Sequence, residues 1–300
     1  MTKENHTGLK SKGMILLTAI IWGAGFIVSQ MALDAKLSAA AILLGRFSIA
    51  ALLIFIVFSK DILKNFKIKH IKNGIIIGVF LFSAFFLQTM GLQYSTPSNN
   101  ALITSANVVM VPFLWWAVSR KKPARVIFSA SALCLVGVWI LSVDFSGGIS
   151  PGLGDFLTLM CAVLFACQIT ATGVLTTKMD YKVLLFLQFA AASLCALAVF
   201  LILDRDFTIF LQSDAMLPLL YLGIFSTCIC YFLQTKAQTR VSSSTAAILL
   251  STEALSGSFF SVLAGYDALS PKLIAGGLII FLSVILPDIY SFIHTKKKPV

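Results

Sequence analysis

Residues 86–107 read FLQTMGLQYSTPSNNALITSAN, and residues 232–253 read FLQTKAQTRVSSSTAAILLSTE. The two stretches open identically, Phe86-Leu87-Gln88-Thr89 against Phe232-Leu233-Gln234-Thr235, at an offset of 146 residues (232 against 86). Carried forward without a gap, that offset sets Ser98 on Ser244, Ala101 on Ala247, Ser105 on Ser251 and Asn107 on Glu253. Self-similarity at a fixed offset is the mark of an internal duplication. Such a duplication requires two related halves.

Around these stretches the chain is a succession of apolar runs bounded by charge, Pro, Gly or Asn. They predict helices near 13–33, 39–59, 72–93, 98–119 and 124–143, then near 153–175, 182–203, 216–236, 243–265 and 271–293. The FLQT stretches fall at corresponding places, the end of the third helix of each set. Asp144 to Gly152, with Gly147, Gly148 and Pro151, reads as the turn between sets. The predicted domains are a first repeat at 13–143 and a second at 152–293, with cytoplasmic tails at 1–12 and 294–300. A helix needs about twenty apolar residues to cross a hydrocarbon core of roughly 30 Å. With 58% hydrophobic residues, 12% charged and a mean hydropathy of +0.94, the chain repeatedly supplies that length. The fold class expected is thus all-α and integral to the membrane, with ten transmembrane helices. The short connections leave no room for an extramembrane catalytic or nucleic-acid-binding domain. The first run, after Lys3, Lys10 and Lys12, lacks a small-residue cleavage site and reads as a retained helix.

The positive charges fix an orientation. With the N-terminus inside, nineteen Lys and Arg fall in inside segments, against Lys36, Arg205 and Lys272 outside and Arg46 within a span. Such a bias is the expected signature of cytoplasmic loops. It predicts ten spans with both termini cytoplasmic in an inner, or plasma, membrane. The net charge of +11 then needs no nucleic-acid partner. Because five is odd, the second half must sit upside down relative to the first. Inverted repeats are a common construction of secondary transporters, with the solute site near the midplane between halves.

Ionisable groups in hydrocarbon cost about 3 kcal/mol or more, so Glu253 and Arg46 stand out. Glu253 lies about 16 Å into its helix, close to mid-bilayer. It is a candidate proton-binding and substrate-binding group, against the alternative of a carboxyl that only ties helices together. Arg46 suits a solute carboxylate or a pairing with Glu253, and equally a structural pairing with helix ends or acidic loops. Asn107, Gln88, Gln168, Gln188 and Gln234 add amides, each either facing a cavity or making an interhelical hydrogen bond. Trp22, Phe26 and Phe47 are candidates to wall a pocket. Gly23, Gly25 and Gly45 would let helices approach closely. The six cysteines fall within apolar runs and show no zinc spacing. His6, His70 and His294 are read as lying in tails or loops. No metal, cofactor or catalytic set is expected.

Trp22-Gly23-Ala24-Gly25-Phe26, Gly45-Arg46-Phe47, Ser95 to Pro112, and Ser242 to Leu255 followed by Gly265-Tyr266-Asp267 and Gly276-Gly277 resemble the drug/metabolite transporter superfamily. The resemblance is to its EamA-type branch of two five-helix repeats, and it covers essentially the whole chain. Two departures stand out: Ala254 follows Glu253 where the family often has Pro, and Ser119-Arg120-Lys121-Lys122 is basic where an acid is common. The resemblance implies a secondary transporter driven by a gradient, though not its substrate; an exporter of amino acids, related metabolites or lipophilic compounds is expected. Because two repeats can form a complete pathway, a monomer is expected, with an oligomer left open. No Gly-Lys-Ser or Gly-Lys-Thr phosphate loop supports drive by ATP. Two other classes stay open at this point, a membrane-embedded enzyme and a lipid-translocating or scaffolding membrane protein.

Overall fold

The computed structural model describes residues 3–142 and 152–295, all helix and connections, with no strand among them. Counting segments separated only by a short break as one, the helices are α1 (Lys3–Asp34), α2 (Ala39–Asn65), α3 (Lys69–Leu92), α4 (Pro97–Ser119) and α5 (Arg125–Ser142). The second half supplies α6 (Leu153–Leu175), α7 (Tyr181–Leu203), α8 (Ser213–Gln238), α9 (Ser243–Leu263) and α10 (Pro271–Thr295). The proposed linker at 144–152 lies outside the described residues apart from Gly152, which precedes α6.

Eight of these helices are long and apolar enough to cross a membrane. In α5 and α10 the apolar stretches are shorter, Arg125–Gly137 and Ile274–Pro287. The outward faces match that environment: Leu52, Ile56, Val57, Leu194 and Ile202 are all exposed, an arrangement water would penalise and lipid does not. Several helices outrun their apolar cores. α1 begins at Lys3 and α2 continues through Lys60, Asp61 and Lys64, because backbone hydrogen bonding does not stop where hydrophobicity does. For the same reason all three histidines lie on helices, and His70, expected in a loop, is buried in the first turn of α3.

Helix ends are set by short polar side chains. The Ser38 hydroxyl accepts from the Ala41 N–H to start α2, and Asp180 accepts from Lys182 to start α7. Thr96 and Ser242, 146 residues apart, do the same for α4 and α9. Outside the spans, Asp206 accepts from the backbone and hydroxyl of Thr208, which holds its carboxyl below the usual range.

Packing is two-fold in pattern. α2 packs on α7 and α5 on α10, while α1 packs on α8 and α9 as α6 packs on α3 and α4. Adding five to the label of each first-half helix therefore maps one set of contacts onto the other. Close crossings depend on missing side chains. A Cβ on Gly23 would lie 2.7 Å from the Gly257 backbone nitrogen, and one on Gly257 would lie 2.9 Å from Ala101 Cβ. Gly23→Leu is expected to separate α1 from α9 and cost at least about 3 kcal/mol, since backbone cannot yield as a side chain can. The check is the yield of monodisperse protein in detergent, which should fall sharply relative to Gly8→Leu, where nothing lies within 4 Å.

Candidate functional site

α4 and α9 are each broken, and at repeat-related places. α4 consists of Pro97–Thr104 and Asn107–Ser119, and α9 of Ser243–Leu250 and Glu253–Leu263. The breaks at Ser105-Ala106 and Ser251-Thr252 put Asn107 and Glu253 at the first position of an internal helix, where the ladder tightens to three-residue bonds from the Val108 N–H to the Ser105 carbonyl and from the Ala254 N–H to the Ser251 carbonyl. α8 departs from α geometry as well. Residues Tyr221–Ile229 form a π-helical stretch after Pro218, and the Thr227 hydroxyl donates to the Leu222 carbonyl five residues back. Such stretches turn backbone and hydroxyl groups out of the ordinary ladder. Here the Ser226 carbonyl accepts from Trp22 Nε1 at 2.7 Å.

These irregular segments surround one narrow cavity, of about 30 Å³. Its walls include Trp22, Phe26, Arg46, Gln88, Asn107, Gln168 and Glu253 of the residues singled out from the sequence, whereas Phe47, Gln188 and Gln234 are buried elsewhere in the bundle. Sequence reasoning missed Phe85, Thr104, Phe165, Ser226 and Tyr231, which also line it. A signal for two of them was present, because Phe85 and Tyr231 each immediately precede an FLQT stretch. At the same offset of 146, four pairs line the space together: Trp22 with Gln168, Phe85 with Tyr231, Thr104 with Leu250, and Asn107 with Glu253. The cavity is thus built twice from one pattern. Arg46 breaks it, since the position 146 residues on is Ala192.

Arg46 is only 2% exposed yet is held tightly. Its Nε donates to Thr227 Oγ1 at 2.9 Å and its Nη2 to Ser226 Oγ at 3.2 Å, while the guanidinium carbon sits 3.9 Å from the Phe85 ring centre. The pairing with Glu253 considered from sequence is not made; hydroxyls of the π-helical stretch and an aromatic face take its place. A guanidinium has five N–H donors, so two bonds leave others for a solute. The Glu253 carboxyl is 4% exposed and has no hydrogen-bond or ion-pair partner among the described residues. Asn107 Oδ1, Gln168 Oε1 and the Tyr231 hydroxyl are buried without partners too. The other sides of the amides are fixed, with Gln88 Nε2 on Thr104 Oγ1, Asn107 Nδ2 on the Thr104 carbonyl and Gln168 Nε2 on Thr172 Oγ1. The cavity therefore holds oriented acceptors and one acid that nothing among the described residues satisfies, beside a cation with N–H groups to spare, an arrangement that calls for a polar occupant.

Ser29 and Gln88 are half-buried and mark the more open end, toward the C-termini of α1 and α3. The opposite end is closed. Tyr231 packs against Trp22, Phe85 and Phe189 as an aromatic floor. Beyond it Gln188, Gln234 and Thr235 are buried with amide or hydroxyl atoms unpartnered. At the far end Lys182 Nζ meets Asp61 Oδ2 at 2.6 Å, and Phe58 stacks on Phe232. Among the described residues no three His, Cys, Asp or Glu converge as a metal site.

The sequence profile of the EamA-like transporter family matches residues 10–143 and again 152–287. An "Uncharacterized transporter" of Archaeoglobus fulgidus is 33% identical over 278 residues, spanning 91% of this chain and 83% of its own. The "Uncharacterized transporter YwfM" of Bacillus subtilis is 24% identical over 268 residues, 86% of each chain. A solved crystal structure, 16% identical, superposes with a TM-score of 0.77 over 96% of this chain and 99% of that one, a likeness of fold. Two profile matches, a transporter relative along nearly the whole length and a bundle of apolar helices agree: the chain is a multi-pass membrane transporter and belongs to the EamA-like transporter family.

Proposed function

We propose that the protein is a secondary carrier that exports a small metabolite of the amino-acid kind, or a lipophilic compound, by alternating access, exchanging it for protons at Glu253. Its ten helices cross the plasma membrane as two inverted repeats, 13–143 and 152–293, with both termini cytoplasmic and one chain sufficient for the pathway. The observation that carries this reading is the single cavity in which Arg46 and an unpartnered Glu253 meet aromatic walls. A solute carboxylate is recognised by the free N–H groups of Arg46, and an apolar body by Trp22, Phe26 and Phe165. A carboxyl without a protein partner exchanges a proton with water or yields to a solute ammonium, which is what coupling requires.

In the proposed topology the more open end faces outward. The aromatic floor, the buried polar groups beyond it and the Asp61–Lys182 pair then form the closed cytoplasmic side. Unpartnered amides behind a closed floor are suited to being wetted when that side opens. The ion pair is half-exposed and contributes up to about 1 kcal/mol, so Lys182→Gln should raise the inward-open population by as much as about fivefold. Labelling of Thr235→Cys in a cysteine-free background by an impermeant maleimide from the cytoplasmic side should quicken accordingly. An unchanged rate would remove the pair from the closure.

The binding step is tested by thermal stability of purified protein against amino acids and lipophilic cations. A solute that stabilises the wild type should stabilise Gln168→Ala and Trp22→Ala less. A solute stabilising all three equally would place its site elsewhere.

A further inference from the structure

A second cavity, about 320 Å³, lies on the outside of the bundle between α3, α4 and α6. Ile76 and Phe80 of α3, Leu114 and Val118 of α4, and Ala171 and Val174 of α6 line it, and no charged side chain does. These positions occupy the N-terminal half of α3 and the C-terminal halves of α4 and α6, so the groove runs toward the end of the bundle where α3 begins and the other two finish. The helices continue past the groove into basic residues. Lys69 and Lys72 stand four residues before the lining residues Asn73 and Ile76, on the same face. Arg120, Lys121 and Lys122 follow α4, and Lys178 follows α6, all exposed.

Among the described residues nothing acidic neutralises this rim. The acids beside it are engaged elsewhere, Asp61 by Lys182 and Asp180 by the Lys182 N–H and Asn65. The wall holds one further unused group, the buried Thr170 hydroxyl, which has no hydrogen-bond partner among the described residues. An apolar slot at hydrocarbon depth that opens under a basic rim at headgroup depth has the complementarity of one lipid: a chain for the slot and a negative phosphate for the rim. Zwitterionic lipid can fill the slot but gains less from the rim, where each Lys or Arg contributes about 1 kcal/mol with anionic lipid.

We infer that the groove between α3, α4 and α6 binds an anionic phospholipid, its acyl chain against Phe80, Val118 and Val174 and its phosphate at Lys69, Lys72 and Lys178. The site has a direct bearing on the carrier. α6 presents Cys167, Thr170 and Ala171 to the groove and the adjacent Gln168 and Ile169 to the central cavity. A lipid in the groove therefore supports the helix that holds one wall of the solute site.

The test is native mass spectrometry of the delipidated protein with phosphatidylglycerol and phosphatidylcholine of matched chains, alongside thermal stability in the same lipids. The wild type should retain phosphatidylglycerol at least about fivefold more than phosphatidylcholine. Lys69→Gln/Lys72→Gln/Lys178→Gln, all at exposed positions, should reduce that preference to near one. Ala171→Trp should reduce retention of both lipids; if that variant does not fold, the exposed lysine variant decides alone. Equal retention of the two lipids by the wild type, or undiminished preference in the lysine variant, would overturn the proposal. Full phosphatidylglycerol retention in Ala171→Trp would overturn the groove as the chain site, and a dimer mass abolished by Ala171→Trp would assign the groove to a second copy of the chain.

Discussion

Replacing Glu253 by Gln should abolish solute accumulation driven by a pH gradient while leaving solute-for-solute exchange in place. The amide keeps the size and hydrogen-bonding capacity of the carboxyl and removes only its proton. Glu253 is 4% exposed at the first position of an internal helix, and no group among the described residues claims it. A solute site that survives the change still cycles loaded from one side to the other, so counterflow persists. Net transport loses its driving ion, and accumulation should fall at least about tenfold, within the usual span of coupling between two sites. Proteoliposomes loaded with unlabelled solute measure the first, and a pH jump measures the second. Loss of both activities together would make Glu253 a binding or structural residue and not the coupling group.

The second large effect is expected at Arg46. Arg46→Met removes the donors to Thr227 and Ser226 and the cation over the Phe85 ring, leaving two hydroxyls in the wall to find water or each other. Each lost charged hydrogen bond is worth about 1.5–3 kcal/mol, so solute affinity should drop by about ten- to a hundredfold if a carboxylate docks there. Arg46→Lys is informative because it keeps the charge but not the planar fork that reaches both hydroxyls at once. A structural role alone would lower thermal stability in both variants with affinity unchanged. A binding role lowers affinity for carboxylate solutes and leaves that for neutral analogues lacking the carboxylate nearly intact.

Much of this arrangement was legible in the sequence for a physical reason. A membrane forces apolar runs of fixed length, and a duplication repeats what lies between them; the breaks in α4 and α9, which hydropathy did not show, stand at the same 146-residue offset as FLQT. Depth along those helices then marked Glu253 and Asn107, and the structure brings both to one cavity with Trp22, Phe26, Arg46, Gln88 and Gln168. What hydropathy could not convey is rotation about a helix axis. Phe85 and Tyr231 were hidden among many aromatics, though each stands one residue before the repeated motif. The π-helical stretch in α8 was likewise invisible, since Ser226 and Thr227 become partners for Arg46 only after the helix widens. Helix ends were misjudged for a related reason. Lys60, Asp61 and His70 are polar, and hydropathy ends a span where the backbone continues it.

The most direct measurement is uptake of a labelled solute, selected by its stabilisation of the purified protein, into proteoliposomes carrying an imposed pH gradient that a protonophore then collapses. A proton-exchanging carrier should accumulate the solute above equilibrium only while the gradient stands and release it when the protonophore is added. Uptake that merely equilibrates, with the same time course in the presence and absence of the gradient, would contradict coupled transport through this cavity.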